Sequence, residues 1–290
     1  MHLTESVHLT WRKRLADLLE HTQQTSHAGS LPFVISGHAC GVIYPPAAQI
    51  LRQAFPDKVA YDTFALGPTQ TREHLNAELM AVAHCLYEQG CLPKWRDELL
   101  DVWLVSASDS ASDSAWTSIG AIERGAVRAL GLGTRAVDLN AWSPSGDLWV
   151  ARRAIDKATD PGMWDTLVGG LVGYEEGDDL ALVRESDEEA GLDEPTIVHR
   201  TPIRCVTRMQ RRLPEGYQCE QVLTSECVLA AEVVPANRDG EVMTIACLPV
   251  SEVSEMLLDD AFTVEASIVI LDALLNRFDP AGQVGRADHA

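Results

Sequence analysis

Residues 170–192, GLVGYEEGDDLALVRESDEEAGL, constrain this 290-residue chain more than any other stretch. Glu185, Glu188 and Glu189 stand at i, i+3 and i+4, in a helix expected from about Asp179 to Ala190 and ended by Gly191 at its C′ position. That spacing stacks three carboxylates on one helical face, where like charges destabilise a bare helix. A divalent cation removes the repulsion: Mg²⁺ prefers hard oxygen ligands and bridges carboxylates to phosphates. The opposite face, with Leu180 and Val183, and Leu192 beyond the helix, is expected to meet a sheet. Glu176, eight residues before Arg184, predicts an ion pair that locks the preceding loop onto the helix. Gly170 and Gly173 let the backbone turn tightly and leave a carbonyl free to approach the cation. The competing reading, a solvated acidic face, requires the Gly, Glu and Arg spacing to be accidental.

Composition narrows the partners. Forty-three acidic residues against 23 basic ones give a formal net charge of −20, which argues against a duplex nucleic acid, whose phosphates recruit Lys/Arg surfaces. A small phosphorylated substrate needs only a few local cations. No apolar run approaches the ~20 residues that span a bilayer, and the N-terminus lacks the apolar core of a secretory signal. The expectation is a cytoplasmic protein with no membrane partner, for which a homodimer stays open. The seven cysteines are irregularly spaced without a CxxC, suggesting neither a disulfide framework nor zinc. Cys205, Cys219, Cys227 and Cys247 fall in strand-like segments and are expected to act as small core residues.

Length favours two units. In residues 1–134 the pattern predicts a helix over 11–22, a strand–turn–strand over 33–44, a helix from Pro45 towards Phe55, and an amphipathic helix over 71–89 with Leu75, Leu79, Val82 and Leu86 on one face. Thr71 is its N-cap and Gly90 its stop. Residues 101–107 read as a strand, 106–115 as a polar loop and 123–131 as a helix. In 135–278 the reading is a hairpin around PSGD, the acidic helix, strands near 196–208, 218–233 and 241–248, and two closing helices, with 279–290 as a tail. His38, between two strands, is expected to be structural.

Residues 170–192 resemble the Nudix box, G-x5-E-x7-R-E-U-x-E-E-x-G-U with U aliphatic: Gly170, Glu176, Arg184, Glu185, Glu188, Glu189, Gly191 and Leu192 match in register. Ser186 departs at the first U, a position that faces the core in that family. WVARRAIDKATDPGMWDTLVGG and stretches such as ERGAVRALGLG and VEASIVILDALLNR resemble a subgroup with an extra N-terminal domain, related to the domain fused to fungal thiamin pyrophosphokinases. Asp138 stands where that subgroup has a His. The resemblance implies an α+β fold, a Nudix α/β/α sandwich with a mixed sheet preceded by a smaller α/β domain. It implies an Mg²⁺- or Mn²⁺-dependent hydrolase of small diphosphates, nucleoside- or thiamin-diphosphate-like.

In that reading Gly170, Glu185, Glu188 and Glu189 hold metal, and Glu188, Glu189 and Glu241 are the catalytic acids. The acid outside the box is best matched by Glu241, which otherwise reads as an exposed strand-entry Glu beside a turn, with Glu226 a weaker choice. Arg153 and Lys157 are the expected diphosphate clamps; Arg152 faces the other way by strand alternation. Trp142 and Trp164 are either stacking surfaces or packing. Two other readings remain: an isomerase resembling isopentenyl diphosphate isomerase, which needs a catalytic Cys that 151–192 lacks, and a non-catalytic sensor of a diphosphate ligand, a class that commonly loses box carboxylates.

Overall fold

A computed structural model describes residues 4–68, 71–105, 116–157, 159–238 and 240–279. The first unit holds β1 (Leu31–Ile35), β2 (His38–Ile43), α2 (Pro45–Ala54), β3 (Val59–Ala60), β4 (Thr63–Leu66), α3 (Arg72–Glu88), β5 (Leu99–Val105), β6 (Trp116–Glu123) and the short α4 (Val127–Leu130), all after a leading helix α1 (Glu5–His21). β2-β1-β4-β3 form one sheet, with β1 and β4 parallel, and β5-β6 a second. Helix α3 follows its sequence pattern: the Thr71 hydroxyl accepts the His74 amide, and Leu75, Leu79, Val82 and Leu86 are buried.

The second unit is built on a mixed sheet in the order β11-β12-β7-β8-β13, from β7 (Gly133–Trp142), β8 (Leu148–Arg153), β11 (Arg204–Leu213), β12 (Gly216–Val228) and β13 (Val242–Leu248). The short β10 (Val168–Leu171) pairs with β7 and β9 (Trp164–Thr166) with β8. β7 and β12 run parallel, Asp138 opposite Thr224. Alternation along β7 serves two layers: Val137, Leu139 and Ala141 pack under α5 (Asp178–Ala190), whereas Trp142 joins the core beneath α6 (Val250–Leu258) and α7 (Val264–Phe278). Helices on both faces of a mixed sheet make an α/β/α sandwich, preceded by the α/β region of the first unit.

Several expectations change. α1 begins at Glu5, six residues earlier than its periodicity suggests, and Trp11, Leu15 and Leu18 pack against α7 instead of the first unit's core. Residues 116–123 form a strand that runs into the expected 123–131 helix, leaving only a 3-10 turn and one turn of helix, which Gly131 (φ +56°), packed against the Val42 backbone, ends. Residues 194–199 are turns: Pro195 and Pro202 lack ladder N–H groups, so β11 starts only at Arg204. β12 stops at Val228, short of the expected 233. Leu180 is 62% exposed, since the helical period aligns it with Arg184 and Glu188 while Ala181, Leu182, Ser186 and Ala190 turn inward. Of the four strand cysteines only Cys227 is buried; Cys205 is exposed. His38 is exposed as well. The 106–115 loop and the tail from 280 lie outside the described residues. Among the described residues no helix is long and apolar enough to cross a membrane.

Candidate active site

β10 carries Gly170 to the edge of α5, and the loop between them is pinned at both ends. Arg184 donates from Nε and Nη2 to the two oxygens of Glu176 (2.8 and 2.9 Å) and from Nη2 to the Leu171 carbonyl (3.2 Å). Glu176 in turn accepts the Gly173 amide (2.8 Å). This fork-on-fork pair holds Glu176 below the usual carboxylate range, the Arg184 hydrogen bond being the main cause. It fixes the loop to the helix that carries the three acids.

Those acids see different surroundings. Glu188 is about half exposed, its side chain 49% accessible. Glu185 is largely covered and lies directly over Gly170, where a Cβ would overlap its carboxyl group; burial raises its pKa, against the pull of Arg184. Glu189 is 8% exposed, and its Oε2 accepts the Gly169 amide (2.9 Å). Burial pushes Glu189 up to about 8 even though that amide favours the ionised form. Arg184 Nη1 meanwhile holds Glu185 (2.7 Å) and Glu188 (3.3 Å).

All three, with Gly170, line a cleft of about 1090 Å³. Opposite them Lys157 is ion-paired with Glu241. Burial alone would raise Glu241, but the Lys157 hydrogen bond and charge bring it below its ordinary value. Arg153 pairs with Asp165 (2.7 Å) and donates to the Thr159 carbonyl (3.0 Å), and Arg152 turns away to the Gly162 carbonyl. The two expected clamps thus already have carboxylate partners.

Other expected residues fall elsewhere. Glu226 accepts the Trp142 indole N–H (3.0 Å), away from the cleft lining. Trp142 and Trp164 pack in the α7 core rather than facing the cleft. Ser186 is buried as its position requires, its hydroxyl bonded to the Leu182 carbonyl one turn back (2.6 Å). The sequence reading assigned no role to a set of acids lining the cleft, the buried Asp138 and Glu220 and the partly buried Asp165 and Glu265. Burial raises Asp138 well above the usual range, and neighbouring Asp165 adds to it. The one sequence signal was Gln218 and Glu220 alternating with apolar residues in β12.

The donor set suits a hard divalent cation. Among the described residues no three His, Cys, Asp or Glu side chains already form a metal-ligating group, and Arg184 bonds two of the box acids. Yet Glu185, Glu188 and Glu189 share one cleft, and among the described residues the buried Glu189 carboxyl has no cationic side-chain hydrogen-bond partner. Carboxylate oxygens with a nearby backbone carbonyl are what Mg²⁺ or Mn²⁺ accepts.

Residues 133–269, which hold the mixed sheet and the acidic helix, match the NUDIX domain family. Among its relatives, Nudix hydrolase 20, chloroplastic, of Arabidopsis thaliana is 26% identical over 84% of this chain and 67% of its own length. Nudix hydrolase 24, chloroplastic, of the same plant is 28% identical over the same shares. An uncharacterised Nudix hydrolase of Streptomyces coelicolor is 38% identical over 33% of this chain and 48% of that protein.

Proposed function

We propose that the chain hydrolyses a diphosphate linkage in a small molecule X–P–P, with Glu185, Glu188, Glu189 and the Gly170 carbonyl holding Mg²⁺ or Mn²⁺. The observation that carries this is the Glu189 carboxyl, buried in a cleft beside Glu188 and one helical turn from Glu185, and tied by one oxygen to the Gly169 amide. When bound, the cation would acidify a water and offset charge building on the phosphoryl oxygens.

The chain's own groups do the rest. The Gly169 amide orients Glu189 through Oε2, and Glu189 is one acid placed to take the proton from the attacking water. Glu241, kept ionised by Lys157, is the second acid able to do so. Arg184 steadies the helix against the loop, keeping the carboxylates in register with Gly170. Among the described residues no cysteine lines this cleft, which disfavours the isomerase reading.

Nucleoside-diphosphate derivatives such as ADP-ribose, and thiamin-diphosphate-like compounds, are the substrate classes we favour. The cytoplasm is the proposed location, to be checked by fractionation because the two plant relatives are named as chloroplastic. The deciding experiment is a screen of diphosphates with Mg²⁺ or Mn²⁺, followed by phosphate release. Full activity in both Glu188→Gln and Glu189→Gln would refute the assignment.

A further inference from the structure

The cleft does not belong to the second unit alone. Lys94, Arg96, Arg124 and Arg128, from the segment that closes the first unit, line it together with the box acids. The Arg124 charge is felt at both Glu185 and Glu241. An anionic substrate entering this cleft meets thirteen acidic lining residues and seven cationic ones, so which cations are free decides where it can bind.

Most are not free. Arg153, Lys157 and Arg184 are tied as described above, Arg124 pairs with Glu98 (2.5 Å) and Arg128 with Glu215 (2.7 Å). Among the described residues, Lys94 and Arg96 are the lining cations whose side chains have no ion pair or hydrogen bond, and both are exposed. Their loop is nonetheless rigidly seated. The Arg96 amide donates to the buried Glu123 carboxylate (2.7 Å), and Trp95 between them stacks on His84 (4.4 Å between ring centroids) and donates to Asp97 (2.8 Å). Gly125 lets the Lys94 carbonyl approach so closely that a Cβ there would stand 2.5 Å from it. A loop anchored on three sides, holding two unpaired cations over a cleft with excess negative charge, has little structural use for those charges.

We propose that Lys94 and Arg96 are the phosphate-binding cations of this site, so that the first unit supplies the diphosphate clamp that sequence reasoning placed at Arg153 and Lys157. This rests on the diphosphate reading above, and it makes the first unit a part of the substrate site rather than a neighbouring module. Arg96 suits bidentate contact with a phosphate and Lys94 a point contact beside it.

Inorganic diphosphate is the probe, titrated by calorimetry into the full chain with and without Mn²⁺, while Mn²⁺ binding is followed separately by electron paramagnetic resonance. Lys94→Ala/Arg96→Ala should raise the diphosphate Kd at least about ten-fold and flatten its salt dependence, with unchanged circular dichroism. Lys13→Ala, an exposed α1 charge outside the cleft, should leave the Kd unchanged. An unchanged Kd in the double variant, an equal loss in Lys13→Ala, or no diphosphate binding by the wild type overturns the proposal. Weak or absent Mn²⁺ binding counts against the metal-site reading alone.

Discussion

Glu189→Gln in the metal-free protein tests the electrostatics of the site directly. The folded state keeps the Glu189 proton up to about pH 8, whereas the unfolded chain releases it near the ordinary 4.5. Between those values the native state binds more protons than the unfolded one, so stability falls as pH rises through the interval. At about pH 7.5 holding this proton, which the unfolded chain has released, costs at most ~4 kcal/mol, one pKa unit being about 1.4 kcal/mol. Water penetration and relaxation in an open cleft reduce this to about 2 kcal/mol. Gln has no proton to take up on folding and keeps an acceptor for the Gly169 amide.

Thermal melts in EDTA should therefore show Glu189→Gln more stable than wild type at about pH 7.5, by roughly 4–8 °C. The gap should close towards pH 4.5, where both chains carry a neutral group. Mg²⁺ or Mn²⁺ should stabilise the wild type well above the variant, since a ligand that binds only the native state raises its stability by mass action. Equal destabilisation of Glu189→Gln at both pH values would show that the side chain serves packing instead, and the argument for a charge awaiting a cation would fail.

Other expectations follow from single contacts. Gly170→Ala places a methyl group where the Glu185 carboxyl lies, and should cut Mn²⁺ affinity and turnover about ten-fold or more while circular dichroism stays native. Ser186→Ala removes a hydroxyl that, among the described residues, is bonded only to its own helix; chemical denaturation should register a change under ~1 kcal/mol, and metal affinity should not move. Trp11→Ala deletes a fully buried indole that donates to Ser254 (2.7 Å) and should cost about 3–5 kcal/mol in urea unfolding, an outcome that a loosely attached α1 would not give.

What the sequence alone determined is the part of the molecule made by neighbours in the chain. α5 and its Gly191 stop, the Arg184–Glu176 pair eight residues apart, and α3 with its Thr71 cap rest on a 3.6-residue period and on caps within a few positions. Only the tertiary structure decided which side of each period faces what. It turned Leu180 to the cleft rim, because burial on α5 is set by where β7 and β10 lie and not by hydrophobicity at one position. It also brought Asp138, Asp165, Glu220 and Glu265 to one cleft through the parallel register of β7 with β12 and the placement of α7. The same long-range packing gave Arg153 and Lys157 carboxylate partners 12 and 84 residues away, and left Lys94 and Arg96 without any among the described residues. A cation's role depends on who else reaches it, and in a mixed sheet that is settled by strand order, which no local pattern encodes.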